Sequence, residues 1–347
     1  MVEMRRFGDF ATFKYGKMPN KKKLSETGKY PVYSGYRYVG YYDEYNTEAN
    51  QIIVVARGVG GTGDVKMTKE RCYLTNLSIS ADIDENIALP EFIYYYYLPH
   101  NLRYLDSGSA QSQITISDLE KVMIPLPSLV EQRAICGYMK VLDRKIEINE
   151  GVNENLAAQA QAIYADMFIT NANPAWPLGR LSDLITVRYG KDHKKINDGV
   201  FPVYGSGGVM RYIERPLYDK ESVLIPRKGT LNNVMYVNEP FWSVDTMFYT
   251  QMKISDVAKF VFHFVKSKDL ASLNAGSAVP SMTTDILNAM ELYLPDADTL
   301  KRFESIVAPM YSVMQFNKKE SKKLAAIRDT LLPKLMSGEI DVSALEL

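Results

Sequence analysis

The chain has 347 residues, enough for two domains of ordinary size, and an apolar content normal for a folded protein. Its 41 basic and 41 acidic residues cancel, which counts against a strongly basic nucleic-acid binder but leaves room for local patches. Cys72 and Cys136 make no disulfide framework and fit a reducing, cytoplasmic compartment; His100, His193 and His263 are too scattered for a metal site or a catalytic pair.

In chain order, "MVEMRRFGDF" has no apolar segment behind its basic residues, so no signal peptide is expected. The stretch that follows is rich in aromatics, β-branched residues, Gly and Pro, and reads as short strands with a few helices. Within it, "QIIVVARGVGGTGDV" places Gly58, Gly60 and Gly63 in a G-x-G-x-x-G spacing after an apolar strand, with Asp82 and Asp84 further on. A dinucleotide site needs a helix directly after those glycines, whereas "DVKMTKERCYLT" reads as another strand. The glycines are therefore expected at a hairpin tip, supplying positive φ and letting backbone approach a ligand. Tyr94 to Tyr97 alternate faces if they form a strand, and half-buried packing is expected of them rather than base stacking. "IALPEFIYYYYLP" is too short and Pro-interrupted to span a bilayer.

After Pro127 the pattern becomes helical. Ile135, Leu142, Asn149, Leu156 and Ile163 form one heptad line; Met139, Ile146, Asn153, Ala160 and Met167 form the next. Asn173-Pro174-Ala175-Trp176 then reads as a linker; it lacks the second proline of an amino-methyltransferase's base-gripping motif.

About 170 residues after the start, the chain repeats itself. Tyr15-Gly16-Lys17 matches Tyr189-Gly190-Lys191, Pro31-Val32-Tyr33 matches Pro202-Val203-Tyr204, and Gly108-Ser109-Ala110 matches Gly276-Ser277-Ala278. "QIIVVARGVGGTGDV" falls over "SVLIPRKGTLNNVMYV", aligning Arg57 with Arg227 and losing the glycine motif. A second helical stretch closes the repeat. Phe303, Met310, Asn317, Leu324 and Leu331 run beside Val307, Met314, Ser321, Arg328 and Leu335. A helix of about 40 residues is roughly 60 Å long. Antiparallel pairing of two such helices would bury both stripes and stack the polar layers at Asn149, Asn153, Asn317 and Ser321. It would also bring Glu147, Glu150 and Glu154 near Lys318, Lys319, Lys322 and Lys323. Gly151 and Pro309 are the places where either helix could bend.

The expected fold is α+β: two similar mixed α/β domains separated by a long antiparallel two-helix coiled coil, with pseudo-two-fold symmetry. The expected boundaries are a first domain at 1–127, a first spacer helix at 128–172, a second domain at 173–296, and a second spacer helix with the C-terminal tail at 297–347.

This order, with "IPLPSLVEQRAI" before the first helix and "LLPKLMSGEIDV" at the end of the second, resembles the specificity subunit of type I restriction-modification systems. "LYLPDADTLKRFESI" departs from the pattern by lacking the Glu-Gln pair. The resemblance covers essentially the whole chain. It implies target recognition domains that each read one half of a bipartite double-stranded DNA sequence, and helices that set the gap and dock methyltransferase subunits, expected to be two. It also implies a restriction-translocase subunit and no catalysis by this chain. No cofactor is expected here; S-adenosylmethionine belongs with the partner methyltransferase. No membrane partner is expected.

For DNA, Lys14 and Lys17 with Lys21 to Lys23, and Arg188, Lys191, Lys194 and Lys195, are candidate phosphate contacts on Gly-flanked loops. Arg57 with Gly58, and Arg227 with Lys228, end corresponding strands; their repetition argues for a shared role. Base readout is expected where the copies differ: Gln111 and Gln113 against Val279 and Ser281, Tyr36-Arg37 against Gly208-Val209, beside Ser109 and Ser277. The alternative reading is a two-headed scaffold or adaptor on a coiled-coil spacer that binds protein or small ligands. A cofactor enzyme built on the glycine motif is the third reading.

Overall fold

The computed structural model describes residues 3–35, 37–58, 61–106, 113–273 and 281–342. It divides into two compact units: residues 1–150 with 318–347, and residues 151–317.

Unit one begins with β1 (Glu3–Arg6), β2 (Ala11–Tyr15), β3 (Tyr30–Ser34), β4 (Arg37–Tyr42), β5 (Ile52–Val55), β6 (Val65–Met67), β7 (Tyr73–Leu74) and β8 (Ser78–Ile83). It continues through α1 (Pro90–Tyr97), α2 (Ile116–Glu120), β9 (Met123–Leu126) and the start of α3 (Leu129–Ala165). An antiparallel sheet in the order β2-β8-β5-β6 is the middle layer, and a smaller sheet β4-β3-β7 covers one face. The apolar run of β5 is explained by this position. Ile52 and Val54 face the helices, while Ile53 joins Cys72 and Leu74 under the small sheet.

The tyrosine run is helical, not extended. Pro90 takes the first helical position, where its missing N–H costs nothing, and Phe92, Ile93, Tyr95 and Tyr97 are buried against the sheet. That burial overrides the strand preference of tyrosine. The glycine motif also resolves. β5 and β6 form a hairpin, Gly63 has φ +89°, and no helix follows. A Cβ on Gly63 would lie 2.3 Å from the Arg103 nitrogen, so the close approach there is to the protein's own backbone; Gly60 lies outside the described residues.

The "SLVEQ" segment is a cap and an anchor. Glu131 accepts from the Ser128 N–H at 2.7 Å, closing a capping box, and its carboxyl is held below the usual range mainly by that serine's hydrogen bonds. Gln132, fully buried, accepts from the Leu89 N–H at 2.9 Å and donates to the Pro127 and Ile87 carbonyls. Ile135 and Met139 then enter the unit-one core beside Leu332, Leu335 and Met336, the end of α7 (Ala297–Met336). Asp143 receives Arg328 at 2.7 Å, Asn149 donates to Glu320 at 2.7 Å and Ser321 at 3.3 Å, and Lys145 pairs with Glu320 at 3.2 Å. The two segments run antiparallel. Glu147 pairs with Lys69 at 3.2 Å. The two heptad stripes govern the packing, and solvated charges take whichever neighbour is within reach.

Unit two contains the end of α3, β10 (Leu178–Arg180), α4 (Leu181–Leu184), β11 (Ile185–Tyr189), β12 (Asp198–Gly205), β13 (Gly208–Ile213), β14 (Ser222–Pro226), β15 (Met235–Val237), β16 (Trp242–Ser243), β17 (Met247–Met252), α5 (Ala258–Lys266), α6 (Thr284–Asn288), β18 (Glu291–Tyr293) and the start of α7. Its sheets, β11-β17-β14-β15 and β13-β12-β16, repeat the unit-one order strand for strand. The missing Glu-Gln pair is replaced by Asp296, which accepts from the Thr299 N–H at 2.8 Å and from the Trp176 indole at 3.0 Å. Trp176 is thereby drawn into the unit-two core, so the expected linker ends in an anchor.

Here Phe303 and Val307 are buried, with Ile163, Met310 and Met314 packed around them. Asn317 donates to Asn153 at 3.0 Å, and Asn153 donates to the Met314 carbonyl at 3.3 Å. Leu142 and Leu331 in unit one, and Ile146, Leu156 and Leu324, are half-buried. α3 continues helically through Gly151 and α7 through Pro309, and α3 ends in a π-helical turn at Asp166–Thr170.

His263 lies in this core, donating from Nδ1 to the Gln161 carbonyl oxygen at 2.8 Å and accepting at Nε2 from the Tyr311 hydroxyl at 3.0 Å. Burial, and then Lys266, push its pKa down to about 4. The unfolded chain binds a proton near pH 6.5 that the folded one refuses, so stability is full above that pH and falls as pH drops toward 4. Urea unfolding at pH 7 and pH 5 should show about 2 kcal/mol lost through this group. In His263→Gln that pH-dependent component should be absent.

Candidate nucleic-acid interface

The β-ladders bring the basic candidates to one end of each four-stranded sheet. In unit one, β2 ends at Tyr15-Gly16-Lys17 and β5 ends toward Arg57, while β8 begins there at Ser78. The Lys17 N–H donates to Leu74 O at 2.9 Å, the Arg57 N–H to Leu77 O at 3.2 Å, and the Ser78 hydroxyl to Gly35 O at 3.2 Å. These bonds tie the β2 end, the β5 end and the β3–β4 turn to one connection, residues 74–78. Unit two repeats the arrangement: Lys191 N–H to Ser243 O at 2.8 Å, and Lys228 N–H to Thr246 O at 3.2 Å.

The repeated Tyr-Gly-Lys has a steric cause. A Cβ on Gly16 would sit 2.2 Å from Thr75 O, and one on Gly190 would sit 2.0 Å from Val244 O. Only glycine lets the β2 and β11 ends lie against that connection.

Backbone register corrects two alignments. Val55 pairs with Ser78 and Pro226 with Met247, and the Ile114 N–H donates to Ala56 O as the Met282 N–H donates to Arg227 O. Arg57 therefore shares its slot with Lys228, and Arg227 shares its slot with Ala56. Each slot cation precedes a glycine of positive φ, Gly58 at +139° and Gly229 at +85°. Likewise Ser34 pairs with Arg37 and Gly205 with Gly208, so Arg37 matches Gly208 rather than Val209. Identity in sequence favoured Arg over Lys, but hydrogen-bond register decides which side chains occupy the same place.

The slot cation also meets the segment where the two copies differ. Isolated antiparallel bridges join Arg57 to Gln113 in unit one and Lys228 to Ser281 in unit two. Arg37, Arg57 and Gly58 line a recess of about 290 Å³ with Ser34, Gly35 and Leu77, residues with no local sequence signal for such a role. The Arg57 Nε is buried and unpaired among the described residues. Arg227 lies over the Tyr189 ring at 5.4 Å and donates weakly to Asp245 O at 3.3 Å.

Lys14 and Arg188 occupy matching positions on the edge strands β2 and β11, opposite Ser80 and Tyr249. The Arg188 guanidinium donates to Gln251 at 3.0 Å. Lys21 to Lys23 are exposed, and Leu24 after them packs half-buried against Val32, Tyr42 and Tyr73. Lys194 follows an Asx turn in which its N–H bonds Asp192 at 3.0 Å; that bond is the main cause of the lowered Asp192 pKa. Tyr36, Ser109, Gln111 and Ser277 lie outside the described residues. No cluster of three metal-ligating side chains occurs among the described residues, and no described helix is long and apolar enough to cross a membrane. Burial pushes the Cys72 and Cys136 thiols up to about 12, so neither is a reactive thiolate.

The chain thus holds two copies of one mixed α/β unit, each gathering cations at the same end of its four-stranded sheet. The model of the type I restriction modification DNA specificity domain matches residues 1–158 and again 174–326, and the chain belongs to that family. A type I specificity subunit of Mycoplasma genitalium is 24% identical, with 93% of this chain and 90% of that one covered. The HindI specificity subunit of Haemophilus influenzae is 32% identical, with 74% and 78% covered. The crystal structure of a type I restriction-modification S subunit from M. genitalium superposes with a TM-score of 0.65 at 22% identity over 96% of each chain, which shows the same fold. The protein is thus the DNA-specificity subunit of a type I restriction-modification system, its non-catalytic, sequence-recognising member; a non-DNA scaffold is not favoured.

Proposed function

We propose that the cation-bearing sheet end of each unit reads one half of a bipartite duplex target. The pairing of α3 with α7 sets the unread interval as a long antiparallel coiled coil, and two methyltransferase subunits dock on this chain. A restriction-translocase subunit joins that assembly, and S-adenosylmethionine is held by the methyltransferase. The observation that carries this reading is the repetition of one cationic slot, Arg57 and Lys228, bridged in each unit to the segment where the copies diverge, Gln113 and Ser281.

The neutral total charge makes long-range attraction to DNA weak, so affinity rests on local phosphate contacts and falls steeply with salt. Lys14, Lys17, Arg188, Lys191 and Lys194 serve as those contacts, with Arg57 and Lys228 beside them. Base edges are met by Arg37, Gln113 and Ser281, together with Tyr36, Ser109, Gln111 and Ser277.

Sequencing the methylated bases of cells with and without this gene tests the proposal. Loss of one bipartite motif is the expected result, and an unchanged pattern contradicts it. Within the assembled methyltransferase complex, Lys17→Ala and Lys191→Ala should each weaken binding evenly across sequences. Each should lower the slope of log affinity against log salt by about one, measured by fluorescence anisotropy at several salt concentrations.

A further inference from the structure

The corrected register leaves Arg227 without a charged counterpart in unit one, as it leaves Arg37 without one in unit two. Arg57 and Lys228 occupy the same backbone slot, each donating its N–H to the matching connection and each followed by a positive-φ glycine. A charge kept at one place in two units that read different sequences suits the component common to both halves, the phosphate backbone. Arg227 is different. Its unit-one equivalent, Ala56, is fully buried and carries no charge.

Arg227 is also held in a defined orientation. Its guanidinium lies over the Tyr189 ring, and Tyr189 is itself braced edge-on against Phe248 at 5.0 Å while remaining 53% exposed. The bond from Nη1 to Asp245 O, at 3.3 Å, is the guanidinium's one hydrogen bond among the described residues. A planar fork stacked on an aromatic face loses little further freedom on binding, and its remaining N–H groups match the paired O6 and N7 acceptors of guanine. In unit one no arginine lies over the corresponding tyrosine, Tyr15, among the described residues; its hydroxyl accepts from the Ile116 N–H at 3.3 Å.

We propose that Arg227, positioned by Tyr189, is the side chain with which unit two discriminates a guanine in its half of the target, a contact unit one does not make. This rests on the DNA-reading function proposed above. The test is selection from a randomised duplex pool by the assembled methyltransferase complex, followed by sequencing of the bound fraction.

Arg227→Ala and Arg227→Lys should flatten the preference at one guanine by on the order of tenfold to a hundredfold, in one half-target only. Arg57→Ala and Lys228→Ala should lower the bound fraction without changing the selected motif. Tyr189→Phe should keep the preference and Tyr189→Leu should reduce it, a readout that a purely structural tyrosine would not move. Retention of the full preference in Arg227→Lys, with its thermal melting unchanged, overturns the assignment. So does a loss in Arg227→Lys spread evenly over both halves, which marks a phosphate contact. Failure of the unsubstituted complex to select any bipartite sequence would instead defeat the underlying function.

Discussion

Deleting Ile146–Val152 together with Lys318–Leu324 shortens the unread interval of the target by about three base pairs. The deletion takes one heptad from each long helix and keeps the antiparallel register, since Asn149 and Ser321 leave together while Asn153 and Asn317 remain. Seven residues at 1.5 Å each remove about 10 Å. Three base pairs occupy about the same length at roughly 3.4 Å each. Rotation does not match as well. One heptad turns a helix face by about 20°, whereas three base pairs turn the duplex by about 100°. The shortened protein must therefore twist its DNA, and affinity should fall along with the interval. Methylated-motif sequencing reads both effects, and an unchanged interval contradicts a spacer role for the helices.

Replacing Lys259 produces the largest loss of stability among the buried charges. Its ammonium, 4% exposed, lies 2.6 Å from Glu304 and 3.1 Å from Glu221, and also over the Tyr236 ring at 5.1 Å. Lys259→Ala leaves two carboxylates facing each other at the edge of a core. Breaking a buried pair typically costs about 3–5 kcal/mol. Glu221 is 42% exposed, so water screens part of its share, and about 3 kcal/mol is the expected loss. Lys259→Met with Glu304→Leu should recover most of it, because an apolar pair avoids the desolvation cost that the ions bear. Urea denaturation of the four variants in a double-mutant cycle measures this, and a single-variant loss below about 1 kcal/mol would show that solvent reaches the cluster.

Much of this molecule is legible in its sequence. Tyr-Gly-Lys and Pro-Val-Tyr recur because the same strand ends meet the same connection, and the heptad lines of α3 and α7 persist because each unit buries them. A dinucleotide site fails on context alone, since the strand β6 follows Gly63 where a helix is needed. Tyr94 to Tyr97 pack as expected but on a helix, because tyrosine favours strands in general and nothing local reveals that α1 has a sheet to lie on. Arg227 was misaligned for a related reason: matching residue types cannot detect a one-residue shift that only ladder bonds define. Neither Lys259 with its two glutamates nor the recess at Ser34, Gly35 and Leu77 had a signal, since their members are far apart in the chain.

The sequence by itself determined the duplication, the order of strands and helices along each copy, and the positions available to the seam, because these follow from periodicity and repetition along the chain. Tertiary structure alone decided which cations share a slot, which arginine stands apart, and which charges are buried together. Those facts depend on hydrogen-bond register and on contacts between residues remote in sequence, where a shift of one position replaces an alanine by an arginine.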